Sequence, residues 1–395
     1  MLETEKPNQQ QEAVLMIDSF LEENYEFRRN VLSGKTEVRK LSDEADRWSI
    51  LTEVVLNSIV RKAKVEGFNE KSPRTDIVEF VGSDAVKDYD PIKDYLENLP
   101  QWDGQNHVAE LFSCIPGLTS EQLNWCCTWQ RSAVAHWLGM DMLHGNECVP
   151  VLIGTQGCGK STFAVRLLPP ELRAYFLDHI NFSNKFDSDM ALTHNLLVNI
   201  DEFANMGPSQ QGKLKQILSR VKVNGRPIFG KSQEDRRRYA SFLATTNDEH
   251  PLCDPTGSRR YLCLKVPKGQ FSDNQTPSDY QQLYAQLVYE LRVQETPYWF
   301  SNDEVERIQE VNQPFFKTEN LESMISYCYR LPEEHEEGQW INSEEVLKTL
   351  QSFYPSLQNG MSMKVKIGQV LKIMGCNAHR CNQGQRYQLV PLQAA

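Results

Sequence analysis

No run of 18 or more apolar residues occurs in the sequence, so nothing in it reads as a membrane-spanning helix and no membrane partner is expected. The first dozen residues are polar and carry Glu3, Glu5 and Glu12, unlike a secretory signal. Cations are in the minority: 42 Lys and Arg against 53 Asp and Glu give a net charge of −11. That balance excludes a histone-like protein coating DNA over its whole surface, but not an enzyme whose basic residues are gathered in one place. Internal repeats and low-complexity tracts are missing as well. The ten cysteines are scattered rather than closely spaced, which argues against a disulfide framework and reads as free thiols in a reducing cytoplasm. Cys376, His379 and Cys381 fall close together but lack a fourth ligand, so a zinc site is not expected. Against these absences stand 395 residues, 40% of them hydrophobic and 24% charged, enough for two or three domains with real cores.

Residues 1–88 mix helical and strand patterns and read as an α+β region. A short helix closes over Phe20 to Tyr25, a hairpin turns near Ser33-Gly34, and Trp48 to Lys64 carries apolar residues at helical spacing. Residues 89–146 form a helical lead-in: Asp90-Pro91-Ile92 starts one helix, and Gln122 to Met142 reads as a long one. Its Trp125, Trp129 and Trp137 suggest base stacking or, at helical spacing, core packing. Residues 147–267 hold three mostly apolar β-runs, Val149 to Ile153, Leu196 to Ile200 and Ser241 to Thr245, the pattern of a parallel sheet covered on both faces by helices. Residues 268–320 read as a helical connector that opens on a polar Lys268 to Pro277 link, and 321–395 as the last unit.

Each of the three β-runs leads into polar residues with chemical potential. Gly154-Thr155-Gln156-Gly157-Cys158-Gly159-Lys160-Ser161 fits the phosphate-loop pattern between a strand and a helix that starts at Thr162. Glycines let the backbone curl so that amides point at phosphate oxygens, Lys160 reaches the β and γ phosphates, and Ser161 ligates Mg²⁺. About 40 residues on, the second run ends in Asp201-Glu202, where Asp201 would hold Mg²⁺ and Glu202 would act as general base toward water. The third run ends at Asn247, a hydrogen-bond donor for the γ-phosphate or the water, or alternatively a turn residue. Gly257-Ser-Arg259-Arg260-Tyr261 reads as a loop from which an arginine reaches a neighbouring subunit's γ-phosphate, unless the pair is simply solvated. Between the second and third runs lie Lys213, Lys215, Arg220, Lys222, Arg226, Lys231 and Arg236 to Arg238, with Asn224-Gly225 and Phe229-Gly230 as turn signals. This basic hairpin reads as a track for an anionic polymer or as a solvated charged face.

Together these motifs resemble the virulence-associated protein E family, grouped with the superfamily 3 helicase-like AAA+ ATPases of phage and mobile-element primase-helicases. The likeness runs from about Asp90 to Pro267, with motifs in the family order: the Asp90 to Gly104 lead-in, Walker A at Gly154 to Ser161, Walker B at Leu196 to Glu202, a basic insert at Arg226 to Lys231, a sensor at Thr245 to Asn247, and the Arg motif. It implies a hexameric ring binding ATP and Mg²⁺ between subunits, with Arg226 and Lys231 on a hairpin that grips single-stranded DNA. The Arg motif departs from the family's usual Gly-Asn-Arg-Arg-Phe. The first 90 or so residues lack the acidic motifs of a primase domain, so a primase would be a separate partner.

The tail begins with a helix capped by Ser343, continues with a second over Met363 to Met374, and ends in a hairpin around Gln383-Gly384. Helix, helix and two-stranded wing is the order of a winged helix. Lys364, Lys366 and Arg380 belong to its basic excess and point to duplex or origin DNA. The expected fold is therefore α/β, with a P-loop AAA+-type sheet, an α+β N-terminal region and a winged-helix-like C-terminus. The expected activity is DNA-dependent ATP hydrolysis by a replication helicase. An ATP-switched DNA-binding regulator or loader is the alternative, and a small-molecule kinase would leave the basic hairpin idle.

Overall fold

The computed structural model describes residues 9–392, apart from 44–46, 69–72, 141–144, 181, 183, 207, 221, 226–233, 253–254, 317–320, 334–335, 355–356, 358 and 382–383. Helix α1 (Gln9–Asn24) leads into strands β1 (Tyr25–Asn30), β2 (Lys35–Lys40) and β3 (Ser49–Ile50). Helices α2 (Glu53–Val65) and α3 (Pro73–Gly82) and strand β4 (Lys87–Tyr89) follow. The strands form a sheet in the order β3-β2-β1-β4, and the β1–β2 hairpin turns at Gly34, whose φ of 66° suits glycine. Ile17, Phe20, Leu21, Val38, Ile59 and Val60 make the core of this region. The first helix is longer than the sequence pattern suggests, and α2 starts later than Trp48. Thr52 caps α2 by accepting from the Val55 N–H, while Ser49 and Ile50 pair with β2 instead.

Helix α4 (Pro91–Glu97) is capped by Asp90, with Pro91 in its first turn, and α5 (His107–Ser113) and α6 (Ser120–Leu138) follow. A capping box between Thr119 and Gln122 opens α6 two residues early, and Gly139, at φ 77°, ends it before Met142. Trp125, Trp129 and Trp137 are buried, and the Trp129 Nε1–H donates to the Cys148 carbonyl at 3.0 Å. These rings are core, not a base-stacking row.

Next come β5 (Val149–Ile153), α7 (Lys160–Arg166), β6 (Phe176–Leu177), α8 (Lys185–His194) and β7 (Leu197–Ile200). They are followed by α9 (Pro208–Leu218), β8 (Lys222–Gly225), β9 (Glu234–Arg237), β10 (Ser241–Thr246) and β11 (Tyr261–Lys265). Five strands form a parallel sheet in the order β11-β5-β10-β7-β6. Every residue of β5, β7 and β10 is buried, as a sheet covered on both faces requires. The fold is α/β, with two strands that the sequence reading missed. One is the short edge strand β6. The other is β11, an apolar run that begins at Tyr261, so the Arg pair stands at a strand entrance rather than free in a loop.

Helices α10 (Tyr280–Arg292) and α11 (Asn302–Asn312) complete the sequence up to the tail. The chain divides into two compact units: residues 1–248 with 259–308, and residues 249–258 with 309–395. The second unit contains α12 (Leu321–Cys328), β12 (Tyr329–Arg330), β13 (Gln339–Asn342), α13 (Ser343–Phe353), α14 (Met361–Ile373), β14 (Ala378–Cys381) and β15 (Gly384–Pro391). Ile325, Val346, Leu350, Ile367, Leu371 and Leu389 form its core. Two helices followed by the antiparallel β14–β15 wing give it a winged-helix-like order. The cap of α13 is Asn342, in a capping box with Glu345, and Ser343 is already inside the helix.

Candidate nucleotide site

Strand β5 delivers the chain to the glycine loop at the edge of the sheet. Gly157 and Gly159 have φ of 79° and 90°, a region that side-chain-bearing residues rarely enter. At Gly159 a Cβ would also lie 2.5 Å from the Asn274 amide, which would have to turn away, so the positive φ is what holds glycine there. The loop and the start of α7 line a cavity of about 370 Å³ with Gln156, Gly157, Gly159, Lys160, Ser161 and Thr162. Asp201, Glu202 and Asn247 close it from the ends of β7 and β10. Strand β10 lies between β5 and β7, so Asn247 comes from the strand that separates the loop from the carboxylate pair.

Lys160 is only 8% exposed. Its Nζ donates to the carbonyls of Gly154 and Thr155 at 2.8 and 2.9 Å and to Asn247 Oδ1 at 3.0 Å. The Cys158 thiol is buried behind the loop, 3.7 Å from the same ammonium. Asp201 accepts from the Thr245 hydroxyl at 2.6 Å, and Glu202 from Asn205 Nδ2 at 2.8 Å. Glu202 is at φ 51°, a left-handed conformation that costs a non-glycine residue energy and is held here by its surroundings. Ser161 and Asp201 offer only oxygen, the donor type magnesium selects. A loop whose glycines leave room for an anion, a lysine at its wall and two carboxylates opposite form a set that fits a magnesium nucleotide.

Residues 96–317, more than half of the chain, match the family model described as the virulence-associated protein E-like domain. The chain belongs to that family. Residues 319–389 match a second model, described as a domain of unknown function from a B. theta gene. No curated protein matches the chain. Among solved structures, the chain is similar to the apo C-terminal region of NrS-1 at 11% identity, covering 98% of this chain and 100% of that one, with a TM-score of 0.47. It is also similar to an active helicase, SCCmec type IV Cch, at 10% identity over 93% and 92% of the two chains, TM-score 0.37. A point mutant of Thermotoga maritima RuvB is similar at 13% identity over 68% of this chain and 92% of that one, TM-score 0.26.

Within the virulence-associated protein E-like domain, Arg259 and Arg260 do not reach the glycine-loop cavity. They line a separate cavity of about 310 Å³ that also includes Glu147, Cys148, Tyr298 and Trp299. Arg260 is half-buried and ion-paired to Glu147 at 3.6 Å, whereas the Arg259 side chain is exposed. Burial, and after it the Arg260 guanidinium, hold the Lys215 ammonium below the usual lysine range.

Strands β8 and β9 of the same domain pair antiparallel from Lys222↔Arg237 to Gly225↔Glu234. Lys222 is exposed on this hairpin, while Arg226 and Lys231 lie outside the described residues. The basic run is not one charged face. Arg238 is fully buried and donates to the carbonyls of Ile217, Leu218, Arg220, Ala240 and Asn146. Arg237 turns inward to the His136 carbonyl and lies 5.2 Å from the Tyr239 ring. Arg220 pairs with Asp189 at 3.5 Å. In the C-terminal unit Lys366 and Arg380 are exposed, and Lys364 is ion-paired to Glu344 at 2.8 Å. Sequence reasoning missed Asn205, the hydrogen bond from Thr245 to Asp201, and the fastening of residues 272–274 onto the loop. Only the polarity of these side chains signalled them.

Proposed function

We propose that this chain is an ATP-hydrolysing, helicase-like replication protein of a phage or mobile element. The observation that carries the reading is the convergence of Lys160, Ser161, Asp201, Glu202 and Asn247 on one cavity from three parallel strands. The glycine loop and Lys160 bind the triphosphate, with Lys160 exchanging its main-chain acceptors for phosphate oxygens. Ser161 and Asp201 hold magnesium, which neutralises phosphate charge. Glu202 orients the attacking water and takes its proton, and Asn205 fixes that carboxylate. Asn247 donates from its amide to the phosphoryl oxygens or to the water.

Rate-limiting charge stabilisation comes in this reading from a second subunit. The exposed Arg259 is the group that reaches a neighbour's phosphate, and Arg260, tied to Glu147, positions it. Such a site needs a ring, and a hexamer is the arrangement we propose. Single-stranded DNA then runs along the basic hairpin through Lys222, Arg226 and Lys231, with Lys366 and Arg380 of the C-terminal unit facing duplex DNA.

The test is Glu202→Gln. This variant is expected to bind MgATP as the wild type does and to lose at least a hundredfold in turnover, measured by phosphate release beside equilibrium binding. Undiminished hydrolysis removes Glu202 from the chemistry. DNA-stimulated hydrolysis without fork unwinding by the wild type would favour an ATP-switched regulator or loader.

A further inference from the structure

The C-terminal unit is built on a sheet in which β15 pairs antiparallel with β12, β13 and β14. Facing residues of an antiparallel pair share a side of the sheet, and sides alternate along each strand. Ile341, Tyr387 and Leu389 therefore point the same way, and they are buried with Val346 and Leu350 of α13 and Ile367 and Leu371 of α14. The Tyr387 hydroxyl donates to the Gly368 carbonyl of α14 at 3.3 Å. By the same register Trp340, Asn342, His379, Arg386 and Gln388 lie on the other face, away from that core.

On this outer face Trp340 is 42% exposed, and His379 meets its ring edge-on with 5.9 Å between centroids. Arg386 is held beside the ring by a hydrogen bond to the Trp340 carbonyl at 3.1 Å. Gln388, directly across from Trp340, accepts from Asn377 Nδ2 at 3.1 Å. None of the four strands of the sheet contains Asp or Glu. Of the four carboxylates nearest β13 in sequence, Glu336 is paired with Arg330 at 2.5 Å and Glu344 with Lys364 at 2.8 Å. Glu345 accepts from the Asn342 N–H, which leaves Glu337 beyond the end of the strand.

We propose that this face binds single-stranded DNA, with an unpaired base stacked on Trp340 and the adjoining phosphate drawn to Arg386. The site is separate from the nucleotide cavity and from the duplex contacts proposed for Lys366 and Arg380. By register Arg380 points to the opposite side of the wing from His379 and Arg386. The chemistry selects the ligand. An indole stacks on any base, but a base offers its face to a side chain only once it leaves the duplex stack. Gln388 carries both a donor and an acceptor, as the edges of bases do. With a guanidinium beside the ring and no carboxylate on the strands, the face attracts phosphate and repels a basic peptide. A protein partner buries an apolar core, whereas the groups directly beside Trp340 are mainly polar.

The experiment compares three probes by equilibrium binding to the full chain: a short oligothymidylate, an abasic strand with the same number of phosphates, and a duplex. It is run in a Lys222→Ala, Arg226→Ala, Lys231→Ala background, so that the hairpin does not mask a second single-strand site. Trp340→Ala is expected to weaken oligothymidylate about tenfold and to leave the abasic strand and the duplex unchanged, while Trp340→Phe stays within about threefold of its parent. Because Trp340 is exposed, its truncation leaves the core intact, and a thermal melt of each variant checks this. Unchanged oligothymidylate affinity in Trp340→Ala, equal losses for oligothymidylate and the abasic strand, or a matching loss for the duplex overturns the stacking site. Absence of oligothymidylate binding by the parent background overturns it as well, and leaves the nucleotide site untouched.

Discussion

Lys160 and Arg238 are both buried cations held by main-chain carbonyls, yet they stand in opposite situations. Lys160 has two carbonyls and one amide oxygen on one side and an open cavity on the other. Its ammonium can trade partners without leaving its place. Arg238 directs its donors to five carbonyls, two of them in the last turn of α9, where a cation also meets the negative end of the helix. Nothing of it remains for an outside anion. A buried cation serves a ligand only where its partners leave one face open, and neither charge nor burial alone distinguishes the two cases.

The largest effect that tests this contrast is on stability. Arg238→Met leaves five carbonyls without their donor and is expected to cost about 3 kcal/mol or more in urea unfolding. Lys160→Met is expected to abolish nucleotide binding while changing stability by about 1 kcal/mol or less, because its acceptors lie beside water. Equal destabilisation by both substitutions would dissolve the distinction. A smaller effect should appear at Glu202, whose left-handed backbone is held in place by the fold around it. Glu202→Gly is expected to raise stability by about 1 kcal/mol in the same assay while eliminating turnover. Lower stability would mean that the hydrogen bond from Asn205 outweighs the strain. The smallest change is expected at the hairpin, in Lys222→Ala combined with Arg226→Ala and Lys231→Ala. Single-strand affinity should fall and its logarithmic salt slope should flatten by about 0.7 for each phosphate no longer neutralised, with the melting temperature unchanged. An unaltered slope assigns these cations to solvent.

Much of the sheet was legible because its strands are continuous apolar runs ending in polar motifs. Val149 to Ile153 and Ser241 to Thr245 need no tertiary information to be seen as buried strands. The glycine loop was legible for the same kind of local reason, since a positive φ at Gly157 and Gly159 is a property of residue type. Strand β11 was hidden by the conspicuous Arg pair before it, and β6 by its length of two residues. The inward turn of Arg237 and Arg238 could not be read at all. Their acceptors belong to residues far away in the chain, such as His136 and Asn146, and no local spacing announces such partners.

Residues 272–274, fastened onto the glycine loop, show the same limit from the other direction. Their composition is that of a linker, and only the approach of Cys158, Gly159 and Cys114 gives their amides something to bind.

The sequence by itself determined the parallel sheet, the glycine loop and the family, because periodicity and residue type act over a few neighbours and survive without any knowledge of the fold. Tertiary structure alone decided which cations face solvent and what is fastened behind the loop. Those outcomes depend on hydrogen-bond partners that the folded backbone brings together from distant parts of the chain, and a buried donor must find its acceptor wherever the fold puts one.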